Sequence, residues 1–137
     1  WGIALHYEQV VKERKHEFPK PRDPDKKLKE TIAPFHWISG QGKYTLSLDA
    51  GLLHGDLFTK HDMLGNGYDW EKIASAFMEK QGMDVYRKFR FDCEADTFSL
   101  TSSSKKLLKE FSLSFHEFVM DTEVFEEFLR GLSGRFA

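Results

Sequence analysis

Four side chains that can bind metal ions lie close together in the middle of the sequence. His54 and Asp56 are followed by His61 and Asp62 within one segment rich in Gly and Asp. Imidazole and carboxylate groups bind zinc and harder ions, so a metal-dependent hydrolase is one hypothesis for this chain. The spacing matches no defined ligand pattern such as His-Glu-x-x-His, and solvated loop residues are the simpler interpretation. We therefore expect no cofactor and keep the hydrolase as the alternative.

Nucleophilic catalysis has equally little support. Ser103 and Lys106 have the Ser-x-x-Lys spacing of some acyl-transfer enzymes, but the partner motifs of those enzymes are missing. The lone Cys93 stands between Asp92 and Glu94, whose negative charges should raise its pKa and suppress the reactive thiolate. The sequence therefore predicts a protein without catalytic residues.

One charge pattern favours a binding function. Between residues 110 and 127 the chain has no Lys or Arg. The acids in this block are Glu110, Glu117, Asp121, Glu123, Glu126 and Glu127. Such a run is commonly the solvated face of a helix. The alternative is a negative surface that steers and orients a basic partner.

Composition limits the class of protein. The 137 residues carry a net charge of −2, and thirteen of them are Phe, which suits a small domain with an aromatic core. The sequence has no basic field that would indicate nucleic-acid binding. It also has no run of eighteen apolar residues that would indicate a membrane span. The single Cys excludes an intramolecular disulfide, and the first segment lacks a secretory signal pattern. We expect a cytoplasmic protein.

The first thirty residues differ from the rest. Residues 1–30 have a net charge of +2, whereas residues 31–137 have −4. Apolar spacing favours a helix in residues 3–18, although residues 1–7 also alternate as in a strand. Three prolines with the charged residues up to 26 predict a solvated linker. The predicted organisation is therefore an N-terminal helical and linker extension, 1–30, before one domain, 31–137.

Two β-hairpins are predicted in that domain. Apolar and polar residues alternate on both sides of Gly40-Gln41-Gly42, and again on both sides of residues 93–96. A loop with a short helical turn is expected at 50–68. Helices should follow each hairpin, and the fold class is α+β, with an antiparallel sheet covered by helices on one face.

The helix ends are predicted from capping residues. Asp69 should cap a helix that Gly82 ends, and Ser102 to Ser104 offer caps for a long helix. Asp121 or Thr122 should cap a last helix, which Gly131 is expected to end.

Three strings in order carry a family resemblance. They are Pro34-Phe35-His36-Trp37, then Gly65-Asn66-Gly67-Tyr68-Asp69-Trp70, and then Phe91-Asp92-Cys93-Glu94-Ala95 followed by Phe98. Together they resemble the immunity protein 51 family of bacterial polymorphic toxin systems, over residues 33–130. The chain departs from that pattern at Cys93, where a Pro is expected. The motif residues with expected structural roles are Phe35, Trp37, Gly65, Asn66, Gly67, Asp69, Trp70, Phe91, Glu94 and Phe98.

The resemblance implies a small cytosolic α+β protein that binds and neutralises a cognate toxin without catalysis. The surfaces we expect to bind the toxin are the acidic C-terminal helices and the loop 51–68. The candidate toxin-binding residues are Tyr68, Glu117, Asp121, Glu123, Glu126 and Glu127. Tyr68 is either an exposed interface anchor or a staple packed on its own helix. A regulatory or scaffold module acting through the basic N-terminal segment is a third hypothesis.

Overall fold

The structure is a computed structural model that describes residues 23–83 and 88–136, with side chains up to residue 132. The helix predicted within residues 3–18 lies outside the described residues, and the extension 1–30 remains a prediction. The part of that extension that is described does not match a solvated linker. Asp25 is buried, its carboxylate accepts a hydrogen bond from Trp37 Nε1 at 3.2 Å, and it pairs with Lys105 at 2.9 Å. The linker prediction was wrong at Asp25 because both partners come from distant parts of the sequence.

Both predicted hairpins are present in one sheet. Strands β1 (His36–Gly40) and β2 (Lys43–Asp49) are joined by Gln41 and Gly42, which have positive φ angles of 53° and 76°. Strands β3 (Phe89–Phe91) and β4 (Thr97–Ser102) form the second hairpin. The four strands are antiparallel in the order β1-β2-β4-β3. Two positive φ angles in a two-residue turn match the right-handed twist of the strands.

The strand register separates the two faces of the sheet. Trp37, Leu46 and Leu100 lie opposite one another and are buried. The neighbouring register positions hold Thr45 and Thr101, whose hydroxyls lie 3.1 Å apart on the other face. The expected α+β fold with helices on one face of the sheet is confirmed.

Five α-helices accompany the described strands. They are α1 (Lys26–Thr31), α2 (Gly55–Lys60), α3 (Gly67–Lys80), α4 (Lys105–Met120) and α5 (Thr122–Phe136). Helix α4 begins as predicted, because Ser104 Oγ accepts from the amide of Leu107 at 3.3 Å. Helix α5 continues past Gly131 because the next residue, Leu132, is buried. The predicted end at Gly131 was wrong.

Phenylalanine rings dominate the core under the sheet. Phe115 of α4 is fully buried, and its ring centroid lies 5.0 Å from Phe111, 5.4 Å from Phe77 and 5.8 Å from Phe35. Its neighbours come from α3, from α4 itself and from the residue before β1. One ring therefore ties three distant parts of the chain together.

Candidate partner-binding surface

Residues 50–68, which follow β2 and include the first two residues of α3, fold back onto the junction of the last two helices. We call these residues the loop segment and residues 117–127 the acidic corner. His54 makes the central contact: its Nε2 lies 2.7 Å from the carbonyl oxygen of Val119, and its ring stacks on Phe125 at 4.4 Å. Because these groups are in direct contact, the loop segment and the acidic corner form one continuous surface.

Glu126 links the loop segment to the acidic corner through ion pairs near the protein surface. Its Oε2 lies 2.6 Å from Lys60 Nζ and 3.1 Å from His61 Nε2. The hydrogen bond from Lys60, and then that from His61, hold the pKa of Glu126 below its ordinary value. Glu126 is therefore held by two basic side chains of the loop segment.

Three buried rings support this surface from beneath. Phe58 from the loop segment, Trp70 from α3 and Phe125 from α5 are each at most 1% exposed. The ring centroids are 5.4 Å apart for Phe58 and Trp70, 5.5 Å for Trp70 and Phe125, and 6.0 Å for Phe58 and Phe125. Aromatic contacts of this kind add about 0.5–1.5 kcal/mol each beyond simple burial. The surface is therefore held on a tightly packed base, which we call the aromatic base.

The turn before α3 is closed by reciprocal hydrogen bonds. Asn66 is the N-cap, and its Oδ1 accepts from the amide of Asp69 at 2.9 Å. The carboxylate of Asp69 in turn accepts from the amide of Gly65 at 2.9 Å. The prediction that Asp69 caps the helix was wrong by three residues. Asn is also a favourable N-cap residue, and the carboxylate of Asp69 instead accepts a hydrogen bond from the preceding turn.

Gly67 brings two of the three family strings into direct contact. Its amide donates to the carbonyl oxygen of Ala95 at 2.9 Å, in the turn between β3 and β4. A Cβ atom at Gly67 would lie 1.9 Å from the carbonyl oxygen of Glu94. Only glycine permits this approach, so the turn before α3 and the second hairpin are packed backbone to backbone.

The remaining family-motif residues lie in or beside the sheet. Phe35, Trp37 and Phe98 are buried, and Phe91 is half-buried on the same face of the sheet as Leu100. Glu94 forms an isolated β-bridge with Thr97. The structural positions expected for these aromatic residues are consistent with their burial.

Tyr68 points outward from the first turn of α3. Its side chain is 50% exposed, so the interpretation as a staple buried against its own helix was wrong. Its neighbours Asp69 and Trp70 are both buried. A Tyr exposed at the start of a well-packed helix is suited to be an interface anchor, since its backbone position is fixed before binding.

Most of the exposed large apolar side chains of the described residues lie on this surface, whereas Leu113 lies further along α4, beside α1. Among residues 23–83 and 88–132, the exposed large apolar side chains of the loop segment are Leu52, Leu64 and Tyr68, and those of α4 and α5 are Leu113, Met120 and Val124. The other exposed one in these residues is Ile38, on the open face of the sheet. The sequence analysis did not single out Leu113 and Met120, which lie off the buried stripe of α4 at a spacing of seven residues. That spacing could have revealed them.

Most candidate acids lie in the open on the acidic corner. Glu117, Asp121, Glu123 and Glu127 are exposed, and Glu126 is half-buried. Asp121 also caps α5, because its Oδ1 accepts from the amide of Val124 at 3.3 Å, as predicted. The corner thus places exposed carboxylates beside exposed apolar side chains.

The two histidines proposed for a metal site are used for other contacts. His54 and His61 bond to Val119 and Glu126. In the described part of the chain, no group of three or more His, Cys, Asp or Glu side chains could hold a metal ion. The hydrolase alternative based on His54, Asp56, His61 and Asp62 is therefore not favoured.

Cys93 is poorly suited to be a nucleophile. Burial, as the main cause, raises the pKa of its thiol to about 11, and the charges of Glu71 and Asp92 act in the same direction. The predicted direction is confirmed, but burial outweighs charge, and Glu71 rather than Glu94 acts beside Asp92. The side chains of Ser103 and Lys106, at the start of α4, are both exposed to solvent.

Comparison with known proteins identifies one family. The family model described as immunity protein 51 matches residues 35–132, which include the three strings quoted above from Phe35 onward. No curated protein and no solved structure gives a match to this chain. Within the described residues, none of the helices combines the length and the apolar character needed to cross a membrane.

Proposed function

Because this chain belongs to the immunity protein 51 family, we propose that it neutralises a bacterial toxin, the product of a neighbouring gene, by binding it in a stoichiometric complex. The family indicates an immunity protein. Inhibition by binding requires surface complementarity and no catalytic group.

The toxin-binding surface in this proposal is the acidic corner together with the loop segment. The observation that supports it best is the mixture of exposed apolar and acidic side chains there. Met120 is 47% exposed and Val124 49% exposed, directly beside Asp121 and Glu123. Protein interfaces combine an apolar centre with a polar rim, and isolated solvated helix faces have no need of the apolar part.

The candidate residues act in different ways. Tyr68 is the anchor, and Glu117, Asp121, Glu123 and Glu127 supply the negative rim. Glu126 acts as a positioning residue, because its carboxylate holds Lys60 and His61 of the loop segment. Replacing Glu126 should disturb the shape of the binding surface more than it changes the charge of that surface.

The partner should present a basic surface. Complementary charge raises association rates and disfavours wrong partners, whereas apolar contacts supply most of the affinity. A nuclease with a cationic substrate cleft is one class of toxin with this chemistry, by analogy with polymorphic toxin systems. Such a toxin acts in the cytoplasm, which is where we place this protein.

The regulatory or scaffold hypothesis assigns the interaction to the basic N-terminal segment, residues 1–30, of which residues 1–22 lie outside the described residues. Deleting residues 1–22 separates it from the present proposal. We expect the shortened chain, which keeps Asp25 and its two partners, to bind the toxin as well as the full chain does.

The direct test is co-expression with the neighbouring toxin gene, followed by purification and a growth assay. We expect a one-to-one complex and survival of cells that make both proteins. The variant Tyr68→Ala should weaken the complex at least about tenfold in Kd, because truncating an interface anchor commonly removes more than 1 kcal/mol of binding free energy.

A matched control is Tyr44→Ala, since Tyr44 lies on β2 near the turn at the far end of the sheet. It should leave Kd unchanged. If the wild-type protein neither binds the toxin nor protects the cells, the proposed function is incorrect.

A further inference from the structure

A groove lies between α3 and α5, directly beyond the acidic corner. Its volume is about 380 Å³, and small residues, Ala76 on α3 and Gly131 on α5, stand at its sides. A Cβ atom at Gly131 would meet no other atom within 4 Å. The buried side chain of Leu132 also lines the groove. The space exists because large side chains are absent at positions 76 and 131.

The lining combines an aromatic ring with two carboxylates. Phe128 is half-buried, and Lys80 Nζ lies 5.0 Å from the centre of its ring. Glu79 and Glu127 belong to the same lining, one from each helix, and both are exposed. Within the described residues neither carboxylate forms an ion pair. The ring therefore already has a cation over it, while the two acids of the lining are available to another cation.

The groove continues the surface assigned to the toxin. Glu123, Glu127 and Gly131 follow at intervals of four residues on α5, so they share one face of the helix. Val124 and Phe128 run beside them with the same spacing. A partner that covers Met120 and Val124 consequently reaches the groove without leaving α5.

We propose that this groove receives an arginine side chain of the toxin, and this inference rests on the proposed function. The methylene part of the arginine would lie against Ala76 and Leu132. Its planar guanidinium group would take the place of Lys80 over Phe128 and donate hydrogen bonds to Glu79 and Glu127. Arginine fits better than lysine because its flat group stacks on a ring and serves two carboxylates simultaneously.

Filling the groove is the decisive experiment. Gly131→Leu places a large side chain in the groove, and Gly131→Ala is its matched control with the same gain in helix propensity. Both variants should keep the fold, since the position is helical and open. For the product of the neighbouring toxin gene, titration calorimetry should give a Kd at least about thirtyfold weaker with Gly131→Leu and a Kd within threefold of wild type with Gly131→Ala.

The charges of the groove provide a second measurement. Glu79→Gln combined with Glu127→Gln should weaken the toxin complex about tenfold or more and reduce its dependence on salt concentration. Glu30→Gln is the control, because Glu30 is an exposed acid on α1, outside the groove. It should change neither quantity.

The outcomes distinguish the two levels of the argument. If the wild-type protein fails to bind the toxin, the proposed function fails, and the arginine site fails with it. If the wild-type protein binds and Gly131→Leu binds equally well, the groove is not occupied in the complex, and only the arginine site is refuted. Equal affinity of the double glutamine variant and the wild type would refute it as well.

Discussion

The acidic corner and the open face of the sheet are both exposed, yet their side chains are arranged differently. On the open face, polar side chains face one another in register: Thr45 and Thr101 are hydrogen-bonded, and Ser47 lies opposite Ser99. On the acidic corner, Met120, Val124 and their acidic neighbours are exposed in the described structure. The first surface pairs its polar side chains across the strands and exposes one large apolar side chain, Ile38, whereas the second exposes two apolar side chains beside its carboxylates.

The two surfaces also differ in what supports them. The open face is one side of a single antiparallel sheet, with strands of three to seven residues. The acidic corner lies over the aromatic base of Phe58, Trp70 and Phe125. A rigid support reduces the ordering that a surface must undergo on binding, and this favours tight complexes. The comparison indicates that a binding surface can be recognised by exposed apolar and acidic side chains that lie on a well-packed base.

The largest difference should appear in stability. Trp70→Ala removes the central ring of the aromatic base and should lower the free energy of unfolding by about 3–5 kcal/mol. Thr45→Ala on the open face should cost only about 0.2–1 kcal/mol, the range of a cross-strand pair. Urea unfolding at equilibrium measures both. Equal losses would contradict the central packing role assigned to Trp70.

Gly67 and Gly131 differ in the space available beside their backbones, and substituting each tests this difference. Gly67→Ala drives a Cβ atom into the carbonyl oxygen of Glu94 and should destabilise the fold by about 1–3 kcal/mol. Gly131→Ala enters open space in a helix and should stabilise it by up to about 1 kcal/mol. Thermal unfolding should shift in opposite directions for the two variants. A shift of the same sign in both would contradict the difference in packing.

Charge should matter on one surface only. Replacing Glu117 and Glu123 by Gln, and Asp121 by Asn, keeps the shape and the cap of α5 while removing three charges. The association rate constant with the toxin should fall about tenfold at low salt, measured by stopped flow. Replacing Lys43 and Arg90, which are exposed on the open face, by Gln should not slow association. Slower association of this second variant would show that the open face takes part in binding and would contradict the assignment to the acidic corner.

The smallest expected effect concerns pH. The pKa of Glu126 is lowered in the folded state by Lys60 and His61. Its contribution to stability is therefore present above its ordinary pKa of 4.5 and is lost as the pH falls through the lower folded value. The stability difference between wild type and Glu126→Gln should narrow as the solution is acidified below pH 4.5. A difference that is constant over this range would show that the contacts of Glu126 do not depend on its charge.

Local patterns predicted the elements well because their causes are local. The alternation around Gly40-Gln41-Gly42 and the caps at Ser104 and Asp121 depend on neighbouring residues, and each was found where expected. The sheet arrangement followed from the two hairpins, since two short apolar hairpins can bury their sides most readily by pairing.

The predictions failed where contacts with distant residues determine the local structure. Asp25 is buried by Trp37 and Lys105, and the helix α5 continues through Gly131 because the core requires Leu132. The exposure of Tyr68 depends on how α3 is oriented, which no local pattern reveals. Glu126 looked like its acidic neighbours in the sequence, and its partners are 65 residues away or further.

The two-residue turn at Gln41 and Gly42 has a practical use. Tyr44 pairs with Ser102, which lies two residues before the N-cap of α4. The sixteen residues of α4 span about 24 Å, and the acidic corner is at the other end of this helix. A fluorescent dye attached through Gln41→Cys would consequently sit far from the bound toxin. With Cys93 protected by its high pKa, such a dye could be coupled selectively and report on complex formation without obstructing it.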